Sequence, residues 1–512
     1  MRSQERKLSS LPSSNVQRYY YVLTPIVVSL IYVVCYRNKW QDDNHNIQMT
    51  MLAALLTIGC YTIIQGYKNK LSTNQMIGTL ILAGFVMRIG YMIYTHPYVR
   101  YHDVCGFASD STGHDGYIYN LIHSFKLPES NSYQGYHPPF YHILSALFIK
   151  LTTPLVGYEE LAGAQVISCV ASCYSLLVIR RIIEELKLGE QAKLITMSIM
   201  AFFPSFYLIG GTINNDAVMW CLFFIAILYT IRWYQNTTYH NIMILAVAIG
   251  LGMMTKVSAG TIALFTGPIM LAVLVKKIRE ANHRKWVENI KENQVRKVIG
   301  QFFTFGVICF PLALWYPIRN YILFNQAFMH VSEMPPTHEL YVGHISKISR
   351  FLSFPLSAFT NNMYSVPVDD YNLPTYVIKG GIFGEYSFDI PDFIPALLLF
   401  VNVILVLLSI YAMLSLLIRD KEKPNILRYG IISIWFILFV SFILFNLRYP
   451  FGCTMDYRYI VPCALCGAIA LGVLYENKKK EVSVIDMLLR KAIAIFTAAF
   501  CVLSVVMYLN IA

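Results

Sequence analysis

The chain has 512 residues, of which 56% are hydrophobic and 14% are charged, and its mean hydropathy is +0.50. A soluble globular domain carries roughly a quarter charged residues, so this composition excludes an ordinary soluble protein. The net charge of +12 does not indicate nucleic-acid binding, because the basic residues lie in short loops between apolar blocks, as the positive-inside rule predicts for membrane proteins.

The apolar blocks are long enough to cross the hydrocarbon core of a bilayer, which takes about 20 residues of helix. The sequence therefore predicts an all-α polytopic membrane protein with about 13 transmembrane helices. The predicted spans are residues 18–36, 47–66, 76–95, 161–183, 191–212, 216–234, 241–256, 259–275, 299–323, 392–418, 427–447, 457–475 and 490–511.

Basic clusters between these spans set the predicted orientation, and the clearest is segment 276–297. The apolar stretch 138–156 could cross the membrane, but it carries His142 and Lys150. If it lies instead as an amphipathic helix in the outer interface, every basic cluster falls on the cytoplasmic side. Two long loops, 96–160 and 324–391, then face outward, and loops of this length are usually functional.

The first outer loop is rich in acidic and histidine side chains. Transfer from an activated sugar phosphate needs a carboxylate base and donors or cations that hold the leaving phosphate. Asp103 follows the third span closely and would lie at the lipid–water boundary, although a solvated loop would have a similar composition. The candidate side chains are Asp103, Asp110, Asp115, Glu129, His102, His114, His123, His137 and His142.

The first outer loop also contains residues that could bind a metal ion. Its histidines lack the fixed spacing of a zinc site, and no HExxH motif occurs. Oxygen ligands from Asp103 and Asp115, together with a substrate phosphate, would suit a divalent cation such as Mg²⁺ or Mn²⁺. We therefore expect no required cofactor, with a divalent metal as the alternative.

Two motifs in the first outer loop resemble those of the GT-C fold glycosyltransferases, which include protein O-mannosyltransferases and the lipid A aminoarabinose transferase. Residues 101–104 (YHDV) and 113–117 (GHDGY) are both similar to the acidic motif, and residues 136–142 (YHPPFYH) are similar to the following (K/H)PP motif. The resemblance implies that Asp103 or Asp115 is catalytic. The HDV sequence favours Asp103, the spacing to HPP favours Asp115, and neither Asp is followed by the family's Glu.

Later segments resemble the same family in the same order along the chain. They are Phe203-Pro204 followed by residues 214–216 (NND), residues 255–256 (TK), residues 376–385 ending in Gly-Glu, and residues 455–459 (MDYRY). With the intramembrane Arg88, whose charge is costly in a bilayer, they predict a site that binds substrate and phosphate. Its predicted residues are His102, His114, His137, Lys256, Arg458, Asp216, Arg88, Tyr459 and Glu385.

Each of these side chains also has a structural interpretation. Asp216 begins a predicted span and could cap its helix. Lys256 and Arg88 could snorkel towards the headgroups. Arg458 could pair with Asp456 to hold a turn. The motifs alone do not decide between these roles.

The resemblance implies a hexosyl- or pentosyltransferase that moves a sugar from a polyprenyl-phosphate donor, dolichyl or undecaprenyl, to an extracytoplasmic glycan, lipid or protein acceptor, with inversion. It implies a catalytic membrane domain at 76–475, preceded by a basic tail and two extra helices at 1–75 and followed by a C-terminal helix at 476–512. We expect a bacterial plasma membrane, or alternatively the endoplasmic reticulum. Two alternative functions are a secondary transporter or flippase, although the inverted repeats typical of transporters are not found, and a polymerase or ligase that uses a diphosphate-linked donor.

Overall fold

The computed structural model describes residues 13–99, 104–106, 112–282, 288–332, 334–360, 362–419, 425–477 and 483–511. Helices dominate this part of the chain, and an isolated antiparallel bridge joins Tyr341 to Phe451. The helices are α1 (Ser13–Arg37), α2 (Asn44–Tyr67), α3 (Thr73–Tyr94), α4 (Gly113–His123), α5 (Phe140–Val156), α6 (Gly163–Glu185), α7 (Glu190–Phe202), α8 (Ser205–Gly211), α9 (Asp216–Gln235), α10 (Tyr239–Thr255), α11 (Ala263–Asn282), α12 (Glu288–Phe324), α13 (Lys347–Phe351), α14 (Ser357–Thr360), α15 (Leu373–Phe383), α16 (Phe393–Ile418), α17 (Ile431–Arg448), α18 (Pro462–Asn477) and α19 (Val484–Asn510).

Many of these helices are suited to a membrane. Within the described residues, 10 helices are long and apolar enough to cross one, or 11 if the bent pair α7–α8 is a single span. Three shorter apolar helices, α5, α10 and α18, accompany them. The predicted all-α, multi-pass membrane class is confirmed. The predicted count of 13 spans is not settled by these helices and stays a prediction.

The helices differ in how much of their surface the protein covers. The apolar window of α9 is 72% buried, whereas that of α2 is only 6% buried. Helix α9 packs against α6 and α10, and α18 packs against α7 and α16. A fully apolar helix with little protein cover must face lipid, so α2 lies at the periphery and α9 lies in the interior.

Proline breaks the span formed by α7 and α8, which bend by 43° relative to each other. Pro204 has no amide hydrogen and disfavours a helical residue before it, so carbonyls at the end of α7 lose their helical partners. The guanidinium of Arg88 replaces those donors: Nη1 donates to the carbonyl of Ala201 at 2.8 Å and Nη2 donates to that of Met200 at 3.2 Å. Arg88 therefore stabilises the broken span from α3.

Helix α5, the predicted interfacial helix, has two different faces. Tyr141, His142 and Ser145 are fully buried against the protein. Leu147 and Leu151, on the opposite side, are 54% and 73% exposed. An outward apolar face and an inward polar face suit a helix that contacts lipid along one side. Its depth in the membrane stays a prediction.

Candidate active site

Asp216 is the first residue of α9 and is almost completely buried. Its backbone amide donates to Oδ1 of Asn214 at 2.9 Å, and the side chain of Asn215 donates to the carbonyl of Thr255 at 3.0 Å. The start of α9 is therefore tied to the end of α10. A carboxylate at a helix N-terminus is stabilised by the helix dipole, which offsets part of the cost of burying Asp216.

Two cations from distant parts of the chain converge on Asp216. The Nζ atom of Lys256 lies 2.6 Å from Oδ1 of Asp216, and Nη1 of Arg458 lies 3.8 Å from Oδ2. The side chains of Lys256 and Arg458 are 13% and 11% exposed, and that of Asp216 is 1% exposed. These charges are largely desolvated, so low dielectric strengthens the interactions among them and with any anion that contacts the two cations.

Asp456 and Tyr459 hold Arg458 in place. Oδ1 of Asp456 accepts a hydrogen bond from the Arg458 amide at 3.0 Å, and Oδ2 lies 3.2 Å from Nε of Arg458. The indole of Trp220 on α9 donates to the Arg458 carbonyl at 2.7 Å. The ring of Tyr459 lies 5.2 Å from the Arg458 guanidinium and 5.1 Å from Nζ of Lys256, so it forms cation–π contacts with both cations.

Asp456 is itself buried, and its surroundings affect its proton affinity. Burial raises the pKa of Asp456 above its ordinary value, and Arg458 acts in the opposite direction. Asp216 also raises this pKa, whereas Lys256 lowers it. Asp456 therefore belongs to the same electrostatic cluster as the three residues around Asp216. We call Asp216, Lys256, Asp456 and Arg458 the charge cluster.

The second long outer loop approaches the charge cluster through Gly384 and Tyr386, which flank Glu385. Tyr376 on α15 donates its hydroxyl to Oε1 of Glu385 at 2.6 Å. Gly384, at the end of α15, has φ of +62°, a conformation that favours glycine. A cavity of about 20 Å³ lies between this turn and the charge cluster, which is room for about one water molecule. Its lining includes Ser205, Asn214, Asp216, Gly384, Asp456 and Arg458.

Asp115 has a different environment. It is fully buried in the first turn of α4, where Oδ1 accepts a hydrogen bond from the amide of Cys105 at 2.9 Å. Oδ2 accepts hydrogen bonds from the amide of Gly106 and, at 3.3 Å, from the hydroxyl of Tyr98. Because the Asp115 carboxylate accepts hydrogen bonds from three groups, it fixes the chain around Cys105 and Gly106. This geometry favours an anchoring role for Asp115 over the predicted catalytic role.

His102 and Asp103, both predicted site residues, lie outside the described residues, as does Asp110. The described segment 104–106 follows them directly, and its amides are the ones that bind Asp115. Asp115 therefore fixes the backbone next to Asp103. Within the described part of the chain, no group of three or more His, Cys, Asp and Glu side chains is arranged to hold a metal ion. Because Asp103 is not among them, the divalent metal stays a prediction.

The predicted phosphate ligands His114 and His137 belong to a stacked histidine cluster. Nδ1 of His114 lies 2.9 Å from Nε2 of His142, and the ring of His137 stacks on that of His114 at 5.7 Å. The ring of Tyr117 stacks on that of His142 at 3.9 Å. Burial lowers the pKa of His142 well below its ordinary value, and His114 and His137 lower it further. His114 is fully buried, so its geometry favours packing of the HPP turn over contact with substrate.

Arg88 was also predicted to bind phosphate, and its contacts favour another role. The side chain is fully buried. Besides its bonds to α7, it donates to Ser172 at 3.1 Å and to the Gly84 carbonyl at 2.9 Å. These partners are parts of the fold, so the geometry favours a structural role over the predicted one.

Residues 136–289 match the family described as dolichyl-phosphate-mannose-protein mannosyltransferase. This segment includes the HPP motif, Asp216 and Lys256, but ends before Arg458. It confirms the predicted resemblance to GT-C glycosyltransferases over that part of the chain. None of the curated proteins matches the sequence.

Solved structures give weaker likenesses. The apo oligosaccharyltransferase of Archaeoglobus fulgidus aligns with a TM-score of 0.46 and 11% identity, over 84% of this chain and 56% of that chain. ArnT from Cupriavidus metallidurans bound to undecaprenyl phosphate aligns with a TM-score of 0.34 and 14% identity, over 81% of this chain and 79% of that chain. The chain thus spans little more than half of the archaeal enzyme. TM-scores below 0.5 do not establish a shared fold, so the family match carries the resemblance.

The structure adds residues to the predicted site. Asp456 was predicted only as a structural partner of Arg458, and the structure shows that pairing at 3.2 Å. Trp220 was not predicted, although it lies one helical turn after Asp216 on α9 and thus on the same face. Tyr376 begins the predicted segment 376–385, but its hydrogen bond to Glu385 could not be inferred from the sequence.

Proposed function

We propose that this protein is a membrane glycosyltransferase that moves a sugar from a polyprenyl-phosphate donor to an acceptor on the extracytoplasmic side. The observation that carries the proposal is the convergence of Lys256 and Arg458 on Asp216 at the ends of helices. The family match over residues 136–289 supports the reaction class. A bacterial plasma membrane fits the resemblance best.

In the proposed reaction, Lys256 and Arg458 hold the phosphate of the donor. Lys256 has three N–H donors, and its hydrogen bond to Asp216 uses one of them, while Arg458 adds a second cation beside the same carboxylate. Cations held rigidly around a leaving phosphate stabilise the charge that develops as the glycosidic bond breaks. Lipid phosphate then leaves, and no nucleotide is needed.

Asp103 is the proposed base. It removes the proton of the acceptor hydroxyl or amine, which attacks the anomeric carbon on the face opposite the phosphate and inverts its configuration. Asp115 is the positioning residue for this step, since it binds the amides of Cys105 and Gly106. Small displacements of a catalytic group cost large factors in rate, which explains why the backbone beside Asp103 would be held so firmly.

Release of lipid phosphate from a polyprenyl-phosphate sugar by the purified, detergent-solubilised protein, in the presence of an acceptor with a hydroxyl or amine group, tests this proposal. Asp103→Asn and Lys256→Met should each reduce release by at least a hundredfold. Asp369→Asn is the matched control, because it removes an exposed carboxylate from the second outer loop and should leave release unchanged. Full release by both site variants would exclude the proposed site.

A further inference from the structure

The charge cluster is electrically balanced when all four of its members are ionised. It contains two cations, Lys256 and Arg458, and two carboxylates, Asp216 and Asp456, with side chains no more than 13% exposed. A bound phosphate would add negative charge to this balanced, desolvated group. Buried charge without a partner is strongly unfavourable. Among the described residues of this cluster, phosphate binding therefore leaves one negative charge without a partner.

We propose that Asp456 takes up a proton when the donor binds, and that this makes the site selective for a singly charged phosphodiester over a doubly charged phosphate. The inference rests on the proposed function, because it concerns the same site and its donor. It assigns Asp456 as a specificity-determining residue and defines the donor class as a monophosphodiester.

The surroundings of the two carboxylates identify Asp456 as the one that is protonated. Asp216 has Lys256 at 2.6 Å, Arg458 at 3.8 Å and the N-terminus of α9. Asp456 accepts the Arg458 amide at 3.0 Å, pairs with Nε of Arg458 at 3.2 Å and precedes only a short 3₁₀ turn. Among the described residues, two cations and the N-terminus of a long helix therefore face Asp216, whereas Arg458 is the cation that pairs with Asp456. The raised pKa of Asp456, caused by its burial, agrees with this order.

The second outer loop also faces Asp456 with titratable groups. Tyr376 and Tyr386 interact electrostatically with Asp456, and both phenols have pKa values raised well above the ordinary value by burial, so they stay neutral near pH 7. Glu385 interacts with the same two tyrosines. It is only partly buried, so solvent screens its charge more than those of the cluster. It adds negative charge and therefore increases the need for a proton.

The proposed charge balance distinguishes donor from product. A phosphodiester carries one negative charge at every pH of interest, which matches a cluster with protonated Asp456. A phosphomonoester loses its second proton near pH 6 and then carries one charge too many. In the reaction, the acceptor proton passes through the base to solvent or to the released phosphate, and Asp456 returns its proton to solvent when the product leaves. The same balance disfavours diphosphate-linked donors.

Binding of two short-chain lipid analogues tests this inference. Farnesyl methyl phosphate represents the diester and farnesyl phosphate represents the monoester, each measured by calorimetry between pH 5 and pH 8.5. For the wild type, the Kd of the diester should rise by up to about tenfold per pH unit above the pKa of Asp456. At pH 8 the diester should bind at least about tenfold more tightly than the monoester.

The variant Asp456→Asn separates charge from structure. It keeps an oxygen that accepts the Arg458 amide and is neutral like the protonated carboxyl, so the diester Kd should become independent of pH while the preference for the diester at pH 8 is retained. Asp369→Asn, which removes an exposed carboxylate, should behave as the wild type. Equal weakening of both ligands with an unchanged pH profile would mean that Asp456 is only structural, and this would overturn the inference.

A measurement on the wild type keeps the test independent of whether the variant folds. Calorimetry in two buffers of different ionisation enthalpy counts the protons taken up, and about one proton per bound diester is expected at pH 7.5. No uptake would overturn the inference. Proton-coupled binding without sugar transfer would retain it while the proposed function fails. A wild type that binds neither analogue would exclude both.

Discussion

Oδ1 of Asp115 accepts a hydrogen bond from the Cys105 amide at 2.9 Å, and this bond anchors the backbone two residues after Asp103. The two acidic residues that the sequence offers as candidates for catalysis are thus linked, one as the proposed base and the other as its support. They should respond differently to the same substitution, and the first prediction depends on that difference.

Asp115→Asn should destabilise the protein, whereas Asp103→Asn should not. An amide in place of the Asp115 carboxylate turns an NH₂ group towards at least one of the backbone donors, and an unsatisfied buried bond to a charged group costs about 2 kcal/mol. Thermal unfolding in detergent measures this difference. Asp115→Asn should retain partial turnover below its unfolding temperature. An intact unfolding temperature combined with complete loss of turnover would instead make Asp115 the catalytic residue.

Lys256→Met should both destabilise the protein and prevent donor binding. Removing one member of a buried ion pair typically costs about 3–5 kcal/mol, because the partner remains charged and unpaired. Adding Asp216→Asn to Lys256→Met should restore much of the unfolding temperature without restoring donor binding. If the double variant recovered both properties, Lys256 would not be a ligand of the phosphate.

Arg88→Met should lower the unfolding temperature but leave the KM for the donor unchanged at temperatures where the variant is folded. The substitution removes the donors to the carbonyls of Met200 and Ala201 next to the break at Pro204, and each unsatisfied buried carbonyl costs roughly 1–3 kcal/mol. Arg88→Lys should recover only part of the stability, because lysine lacks the planar fork of donors. A raised KM with normal stability would support the original phosphate-binding prediction for Arg88.

Stability should fall as the pH drops below about 6.5, the pKa of an ordinary histidine. The folded-state pKa of His142 is lowered by burial and by its neighbours His114 and His137. Above pH 6.5, His142 is neutral in both the folded and unfolded states and the effect is absent. Below it, the unfolded state binds a proton that the folded state excludes, so unfolding is favoured. Unfolding temperatures measured from pH 5 to pH 8 should show this loss.

A paired control isolates the contribution of His142. His142→Phe should flatten the acid branch of the profile, because phenylalanine keeps the stacking on Tyr117 without a proton-binding group. His45→Asn, which changes an exposed histidine, should leave the profile as it is in the wild type. An unchanged acid branch in His142→Phe would assign the effect to other groups.

Motif order predicted that Asp216, Lys256 and Arg458 belong to one site, and the sequence also suggested the pairing of Arg458 with Asp456. The structure adds that Lys256 and Arg458 both face Asp216. Such pairings depend on helix packing between segments far apart in sequence. Local periodicity carries no information about that packing, although it predicted the helices themselves.

For Arg88, the sequence suggested a different role from the one that its contacts favour. A charge within an apolar span favours a functional interpretation, and nothing near residue 88 in the sequence contradicts it. The carbonyls that Arg88 binds lie in another part of the chain, next to Pro204, where they lose their helical hydrogen-bond partners. Only the three-dimensional structure shows that Arg88 donates to them. The sequence also contains no signal that distinguishes His114, which is buried among stacked rings, from a histidine that faces a ligand.

The closeness of Asp216 and Lys256 also bears on how the chain enters the membrane. Helices α9 and α10 form adjacent segments joined by a short turn, so Asp216 and Lys256, which lie 2.6 Å apart in the folded protein, are both synthesised before Asp456 and Arg458. A neutralised pair lowers the cost of placing ionised groups near hydrocarbon. Arg458 is synthesised much later. A nascent or truncated chain that lacks it would therefore contain the α9–α10 hairpin with only Lys256 of the two cations proposed to hold the phosphate.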